Sequence, residues 1–230
     1  MKLMVIDTAL GACLAGCFTV EGTQVQSLGL RREEMTKGHQ ERLGGMARDA
    51  AADAGGLSGV ERVGVTVGPG SFTGLRVGLS FALGLGAALG ADVIGISTLD
   101  ALAASVARDG RVVAAIDARR GQVYIRRFNN GIAVSEAEAL PIADAIEAIL
   151  ADGPADQVTI VGSGAPVLLE ADERLGAATS MPLVAPSAEA LARLTAELDP
   201  QTSPPKPIYL RAPDATPPTR LPGQPRTAAS

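Results

Sequence analysis

A glycine-rich turn joins a short β-branched run to a long apolar segment in the first half of the chain. Residues 62–67 (Arg-Val-Gly-Val-Thr-Val) are typical of a buried strand, and residues 75–90 contain a single charged side chain. The run between them, Gly68-Pro-Gly-Ser-Phe-Thr-Gly74, has the backbone freedom of a tight turn, and its Ser71 or Thr73 can cap a following helix. The order is therefore a strand, a tight turn and an apolar element.

The apolar segment allows two secondary structures. Every second residue from Leu75 to Leu85 is apolar, which is the period of a strand. The length of sixteen residues and the leucine and alanine content favour a helix. Large side chains would then lie on nearly all sides of the helix, so a sheet would cover one face and something else the other. A membrane span is not expected, because it needs about 20 apolar residues.

The turn also allows two interpretations. It is either a plain tight turn or a site whose free backbone N–H groups hold an anion or a partner's carboxylate. The residues that would make such contacts are Gly68, Gly70, Ser71 and Thr73. The turn is not a Walker A loop, because neither Gly-Lys-Ser nor Gly-Lys-Thr follows it.

The run Gly68-Pro-Gly-Ser-Phe-Thr-Gly-Leu-Arg76 resembles the signature of the TsaB (YeaZ) family. The likeness extends to Ile6-Asp7-Thr8 and to Ile208-Tyr209-Leu210-Arg211. The resemblance implies a non-catalytic subunit that supports a TsaD-like catalytic paralogue in forming threonylcarbamoyladenosine (t6A) at position 37 of ANN-decoding tRNAs. It also implies a TsaE-like ATPase as a further partner. This subunit would require no cofactor itself, with ATP or ADP bound within the complex.

The composition argues against direct binding of RNA by this chain. A hydrophobic content of 47% and a charged content of 20% over 230 residues are typical of a globular protein with a core. The net charge is −5 and aromatic residues make up only 3%, so a basic surface rich in stacking side chains is not expected. We therefore expect tRNA to be reached only through the complex.

The N-terminal region contains a misleading motif. Leu14-Ala-Gly-Cys17 resembles a lipoprotein cleavage box, but Asp7 interrupts the apolar run before it, and the flanking residues predict a β-hairpin. We therefore expect a cytoplasmic protein with no membrane association. Cys13 and Cys17 would lie on one face of a strand, about 13 Å apart. That distance excludes a disulfide between them and predicts buried, reduced thiols.

His39 is the only histidine, and it precedes a predicted helix at residues 40–54. A lone histidine at a helix start is usually a cap or a surface residue. The catalytic partner of the resembled family binds metal through two histidines four residues apart, whereas Leu43 occupies that position here. We therefore expect no metal site and no metallopeptidase activity.

Part of the first hairpin recurs later in the chain. Ile-Asp-x3-Gly-x-Cys-x-Ala at residues 6–15 matches Ile-Asp-x3-Gly-x-Val-x-Ile at 116–125, an offset of 110 residues. The match indicates either a duplicated domain or chance similarity between two hairpins. A duplicated α/β domain with mixed sheets is the plan of the actin, Hsp70 and sugar-kinase superfamily, to which the resembled family belongs. In that superfamily the two hairpins hold nucleotide phosphates, and a later glycine-rich strand end, here residues 160–164, supports the adenosine.

The turn Asp109-Gly110 is the expected domain boundary. It would separate an N-terminal actin-like domain with a helical partner interface, residues 1–108, from a shortened C-terminal actin-like domain, residues 109–199. Residues 200–230 contain nine of the fifteen prolines and should form a partly disordered tail.

Tyr209 and Leu210 are candidates to anchor that tail, and disorder is expected beyond Pro217. Truncation after Arg211 should therefore leave folding and partner binding nearly intact.

The resemblance favours a scaffold subunit without activity of its own. The alternative is a kinase or ATPase that acts alone, in which Asp7 and Asp117 would position a Mg²⁺-bound phosphate. No obvious base or lysine accompanies these aspartates, and aspartates that end strands are often only turn formers.

The expected partner interface lies on the two N-domain helices. Such a two-helix surface would pair with a related subunit in a four-helix contact, or with a second copy in a C2 homodimer when the chain is alone. The residues assigned to it are His39, Leu43, Met46, Leu75, Arg76, Leu79 and Leu83.

Overall fold

The computed structural model describes residues 1–106 and 109–211. The first half contains β1 (Lys2–Asp7), β2 (Ala12–Glu21), β3 (Gln24–Glu34), α1 (His39–Asp53), β4 (Val60–Gly68), α2 (Phe72–Leu89), β5 (Asp92–Ser97) and α3 (Thr98–Ala104). The second half contains β6 (Arg111–Arg119), β7 (Gln122–Asn129), β8 (Ile132–Ala133), β9 (Glu138–Pro141), α4 (Ile142–Ala151), β10 (Val158–Val161), α5 (Gly164–Ala171), β11 (Thr179–Met181) and α6 (Ala188–Glu197). The apolar segment after the glycine-rich turn is therefore a helix, α2, as its length and composition favoured.

The two sheets have the same strand order. The first is ordered β3-β2-β1-β4-β5, and the second, read from its other edge, is ordered β8-β7-β6-β10-β11, with a sixth strand, β9, also paired to β7. In the first sheet β1 is antiparallel to β2, and β4 and β5 run parallel to β1. In the second sheet β6 is antiparallel to β7, and β10 and β11 run parallel to β6. The prediction of two small α/β domains with mixed sheets is confirmed.

The first sheet is buried on both faces. Met4 and Ile6 of β1 face a cluster that includes Leu43 and Leu79 from α1 and α2. The alternate residues Leu3 and Val5 face the opposite side, where Leu191 of α6 packs. Burial on both faces explains why β1 is almost continuously apolar.

Helices α3 and α6 cross between the halves of the chain. Leu99 and Leu102 of α3 pack on the second sheet with Val112 and Ile116 of β6. Conversely, α6 packs on the first sheet and contacts β1, β2 and β4. The expected division at 108/109 separates the strands but not the packed cores, because each sheet has one face that is covered by a helix from the other half.

Arg62 of β4 fixes the end of α6 on the first sheet. Its guanidinium donates hydrogen bonds of 3.0, 3.0 and 2.8 Å to the carbonyls of Thr195, Ala196 and Leu198. These carbonyls belong to the last turn of the helix and to the residue after it, where helix carbonyls lack partners and a cation is favourable.

Residues 199–211 run over the surface of the first domain as an irregular segment, which we call the strap. The amide of Gly95 donates to the carbonyl of Ser203 (2.9 Å), and the amide of Ile208 donates to the carbonyl of Val67 (2.7 Å). Arg211 then reaches the second domain, where it donates to the carbonyl of Ala118 (3.2 Å). Positions beyond 211, including the expected disorder after Pro217, lie outside the described residues.

Within the described part of the chain, one helix, α2, is long and apolar enough to cross a membrane by length and composition alone. It packs on the first sheet through Leu75, Leu79 and Ala82, as a core helix does. Cys13 and Cys17 are free and buried in β2 beneath α1, which confirms that they form no disulfide.

Candidate functional site

The glycine-rich turn is held by the first hairpin. A Cβ atom on Gly74 would lie 2.0 Å from the carbonyl oxygen of Thr8, and one on Gly70 would lie 2.4 Å from that of Ala9. The amide of Ser71 donates to the carbonyl of Ala9 (2.7 Å), and the Thr8 hydroxyl donates to the carbonyl of Gly74 (2.7 Å). Glycine is needed here because two backbones are in direct contact.

The residues proposed to contact an anion have structural partners. The Ser71 hydroxyl caps α2 by accepting from the amide of Gly74 (3.3 Å). Gly68 has a φ of 108°, and a Cβ atom on it would lie 2.7 Å from the carbonyl oxygen of Ile208 in the strap. Ser71 and Thr73 are exposed, and both line a cleft that Lys37 and His39 also line. The turn is therefore a packing junction between the hairpin and the strap.

Asp7 closes the turn of the first hairpin from a buried position. Its side chain is fully buried, and Oδ1 accepts hydrogen bonds from the hydroxyl of Thr66 (2.6 Å) and the amide of Ala9 (3.0 Å). Its Oδ2 has no hydrogen-bond partner among the described residues. Burial raises the pKa of this carboxyl above its ordinary value, against the opposing effect of these hydrogen bonds.

Asp117 takes the same role in the second hairpin. Its Oδ1 accepts from the amide of Arg119 (2.8 Å), the residue two positions on, as Asp7 does from Ala9. Its Oδ2 lies 3.0 Å from the Arg119 guanidinium, and its own amide donates to the hydroxyl of Ser163 (3.2 Å). The two aspartates at the 110-residue offset are therefore both turn formers in the structure.

The tip of the first hairpin is bonded to the second half of the chain. The amide of Gly11, at the tip of the first hairpin, donates to the carbonyl of Val184 from the second half (3.0 Å). A Cβ atom on Gly162 would lie 2.4 Å from the carbonyl oxygen of Ala115, so this later glycine-rich strand end packs directly on β6. The tip of the first hairpin and the later glycine-rich strand end therefore each contact protein at these positions.

Most of the residues assigned to the partner interface lie inside the monomer. His39, Leu43, Met46, Leu75 and Leu79 are buried, at 1–7% exposure, between α1, α2 and the first sheet. Only Arg76 and Leu83 are exposed. The prediction named residues that lie mostly on the inner faces of α1 and α2, because it could not decide which side of α2 covers the sheet.

The outer faces of α1 and α2 combine open glycines with exposed apolar side chains. A Cβ atom on Gly44, Gly45 or Gly84 would meet nothing within 4 Å. Phe72 is 50% exposed and Leu83 is 47% exposed on α2. Open glycines of this kind let another helix approach closely.

His39 is not a cap or a surface residue, so that expectation is wrong. Gly38 occupies the cap position of α1, and His39 is the buried first residue of the helix. Its Nε2 has no hydrogen-bond partner among the described residues. No group of three or more potential metal ligands occurs in the part of the chain that the structure describes.

Asp7→Asn should remove a pH dependence of stability. Because the pKa of Asp7 is raised on folding, the folded state retains a proton that the unfolded state releases, and the free energy of unfolding falls as the pH rises from 3.8 through the folded-state pKa. The variant should therefore gain stability relative to the unmodified protein as the pH rises through this window. Urea denaturation from pH 4 to pH 8 measures the difference, and a constant difference would contradict the prediction.

Three comparisons with known proteins agree on the family. The family model for TsaD, tRNA N6-adenosine threonylcarbamoyltransferase, matches residues 20–178. The protein named tRNA threonylcarbamoyladenosine biosynthesis protein TsaB from Escherichia coli is 38% identical over 141 residues, which are 57% of this chain and 58% of that protein. The structure of YeaZ from Pseudomonas aeruginosa matches with a TM-score of 0.72 and 27% identity, covering 91% of this chain and 99% of that one. The chain belongs to the TsaB (YeaZ) family.

Two mycobacterial relatives of this TsaB-family chain extend the match along its length. The uncharacterized protein Rv3421c of Mycobacterium tuberculosis is 34% identical over 94% of both chains. The uncharacterized protein ML0378 of Mycobacterium leprae is also 34% identical over 94% of this chain, which spans only 56% of that longer protein.

A more distant structure bears on the fold alone. The ethanolamine utilization protein EutJ of Carboxydothermus hydrogenoformans matches with a TM-score of 0.50 at 14% identity and covers 84% of this chain. Together with the YeaZ match and the two equal strand orders, it confirms the duplicated actin-like, Hsp70-like and sugar-kinase fold of this TsaB-family protein.

Proposed function

We propose that this chain is the non-catalytic scaffold subunit of a complex that forms t6A at position 37 of ANN-decoding tRNAs. Relatives from E. coli and Haemophilus influenzae, 38% and 40% identical to it, are named tRNA threonylcarbamoyladenosine biosynthesis protein TsaB. In this proposal its task is to bind a TsaD-like catalytic paralogue. A TsaE-like ATPase joins the complex, and the site of action is the cytoplasm, where tRNA is modified.

The observation that carries the proposal is the outer face of α1 and α2. Gly44, Gly45 and Gly84 leave room for an approaching helix, and Leu83, the residue before Gly84, exposes nearly half of its surface. A related subunit with the same pair of helices could dock on this face to form a four-helix contact. The same face would hold a second copy of the chain when the paralogue is absent, which gives the homodimer.

The absence of catalysis is supported by what the two aspartates do. A kinase or ATPase needs carboxylates free to hold Mg²⁺ and a phosphate between the hairpins. Asp7 is fully buried beneath its turn, and both oxygens of Asp117 contact Arg119. The amide of Gly11, at the tip of the first hairpin, is already occupied by a hydrogen bond to the carbonyl of Val184. These contacts favour the scaffold over the alternative of an independent ATPase, and any ATP or ADP in the complex would be bound by other subunits.

Reconstitution tests the proposal. The purified chain, the TsaD-like paralogue and the TsaE-like ATPase from the same organism are mixed with tRNA, and t6A is measured by mass spectrometry of nucleosides. We expect t6A only when this chain is present, and no ATP hydrolysis by the chain alone.

Two results would count against the scaffold. One is equal t6A formation without the chain. The other is steady ATP turnover by the isolated chain that an Asp117→Asn variant abolishes, since this would restore the ATPase alternative.

A further inference from the structure

Phe72, Tyr209 and Arg76 form a stacked cluster on the surface. The rings of Phe72 and Tyr209 lie 5.6 Å apart between centroids, at an interplanar angle of 36°. The guanidinium carbon of Arg76 lies 3.8 Å from the centroid of the Phe72 ring. Phe72 is 50% exposed and Tyr209 is 46% exposed. We call these three side chains the aromatic–arginine cluster.

This exposure is unusual for the chain. It contains only two tyrosines, four phenylalanines and no tryptophan, so two of its six aromatic side chains lie together at the surface. Aromatic side chains gain most when they are buried. Tyr209 is held outward by its neighbours, because Ile208 and Leu210 pack inward against the two cores. The cluster is therefore fixed before any partner arrives, which lowers the entropy lost on binding.

Arg76 has no anionic partner among the described residues. It forms no ion pair with any residue between 1 and 106 or between 109 and 211. It is the fifth residue of α2, near the positive end of the helix dipole, and the first turn of α2 contains no acidic residue. An anion placed against Arg76 would meet a positive potential from both the side chain and the helix.

We propose that the aromatic–arginine cluster is a binding hot spot that receives an acidic side chain, with an adjacent apolar one, from the TsaD-like subunit. Aromatic residues and arginine dominate hot spots, where a pocket excludes water from a charged pair. The cluster is continuous with the α2 face of the proposed interface, since Arg76 and Leu83 are seven residues apart on one side of the helix. The strap thereby becomes part of the docking surface.

A protein partner is favoured over RNA by charge. The chain carries a net charge of −5, which opposes contact with a polyanion, whereas one acidic side chain on an apolar surface matches Arg76 beside its two rings. The inference rests on the proposed function, because it assumes that the partner docks along α2.

Binding of the purified TsaD-like subunit to variants of this chain tests the inference by titration calorimetry. Tyr209→Ala and Phe72→Ala should each weaken association by about 30-fold, as truncation at a hot spot does. Arg76→Gln should weaken it by about tenfold and should flatten its dependence on salt between 50 and 500 mM, since screening acts on the charge pair. Tyr209→Phe should bind as the unmodified chain does. The control Ile132→Ala removes a 71% exposed side chain from β8 and should not change the affinity for the TsaD-like subunit.

The outcomes distinguish a failure of the proposed function from a failure of the hot spot. Absence of binding by the unmodified chain would defeat the proposed function itself. Normal binding of the unmodified chain together with normal binding and salt dependence of Arg76→Gln would overturn the hot spot alone. Because Arg76 is exposed, the Arg76→Gln variant should fold normally. Its binding and salt dependence therefore test the hot spot even if Tyr209→Ala loosens the strap. A loss of tRNA binding by the assembled complex without any loss of subunit association would also overturn it, in favour of RNA.

Discussion

Gly74→Ala is expected to destabilise the protein by about 3 kcal/mol, the upper end of the cost of overpacking. The new Cβ atom would lie 2.0 Å from the carbonyl oxygen of Thr8, a backbone atom that cannot move by a rotamer change. To accept the methyl group, α2 would have to separate from the first hairpin. That movement would break the hydrogen bond from the Thr8 hydroxyl to the carbonyl of Gly74. Urea denaturation followed by circular dichroism measures the loss.

Gly84→Ala in the same helix is the matched control. A Cβ atom there meets nothing within 4 Å, so only helix propensity changes. Alanine should stabilise the protein at this position by up to about 1 kcal/mol. Equal effects of the two substitutions, in either direction, would show that the contact between Gly74 and the hairpin is not what requires glycine.

Leu83→Glu should weaken association with the TsaD-like subunit at least about 100-fold while leaving the fold intact. Leu83 is 47% exposed in the monomer, so a carboxylate there stays hydrated until a partner docks. Docking would then bury an unpaired charge, which costs several kcal/mol in a packed interface. Sedimentation of the chain alone should show the same loss for the homodimer.

The control for this variant is Ile132→Glu, on the second domain, which should bind normally. Met46→Glu and Leu79→Glu are unsuitable as interface tests, because both side chains lie in the core at 7% and 6% exposure and a charge there would disrupt folding. Undiminished association of a folded Leu83→Glu variant would move the partner surface away from α2.

The strands and helices of the first domain were largely predictable from the sequence. Clear patterns of apolar residues, ended by residues that interrupt secondary structure, mark three elements. These are the N-terminal hairpin, the helix after His39 and the strand before the glycine-rich turn. The duplication was visible through a short match around Asp7 and Asp117, because both residues close the same turn. Local chemistry determined each of these features.

The features that were missed depend on contacts between distant residues. The spacing of apolar residues along α2 does not indicate whether Leu79 or Leu83 faces the sheet, because the helix has large side chains on all sides. The sequence predicts only backbone freedom or free amides for the glycines of the turn, whereas the structure places them against Thr8, Ala9 and Ile208. The pairing of Tyr209 with Phe72 joins residues 137 positions apart, and no local pattern could have predicted it.

The position of α6 on the first sheet has a consequence for synthesis on the ribosome. The five strands of that sheet are complete at Ser97, yet the helix that covers one of its faces begins at Ala188, 91 residues later. At about 5–20 residues per second, these residues take about 5–18 s to make. During that time the nascent chain carries an uncovered apolar sheet face and is a natural client for chaperones. The two halves therefore cannot mature one after the other, and the native core closes only when nearly the whole chain has been translated.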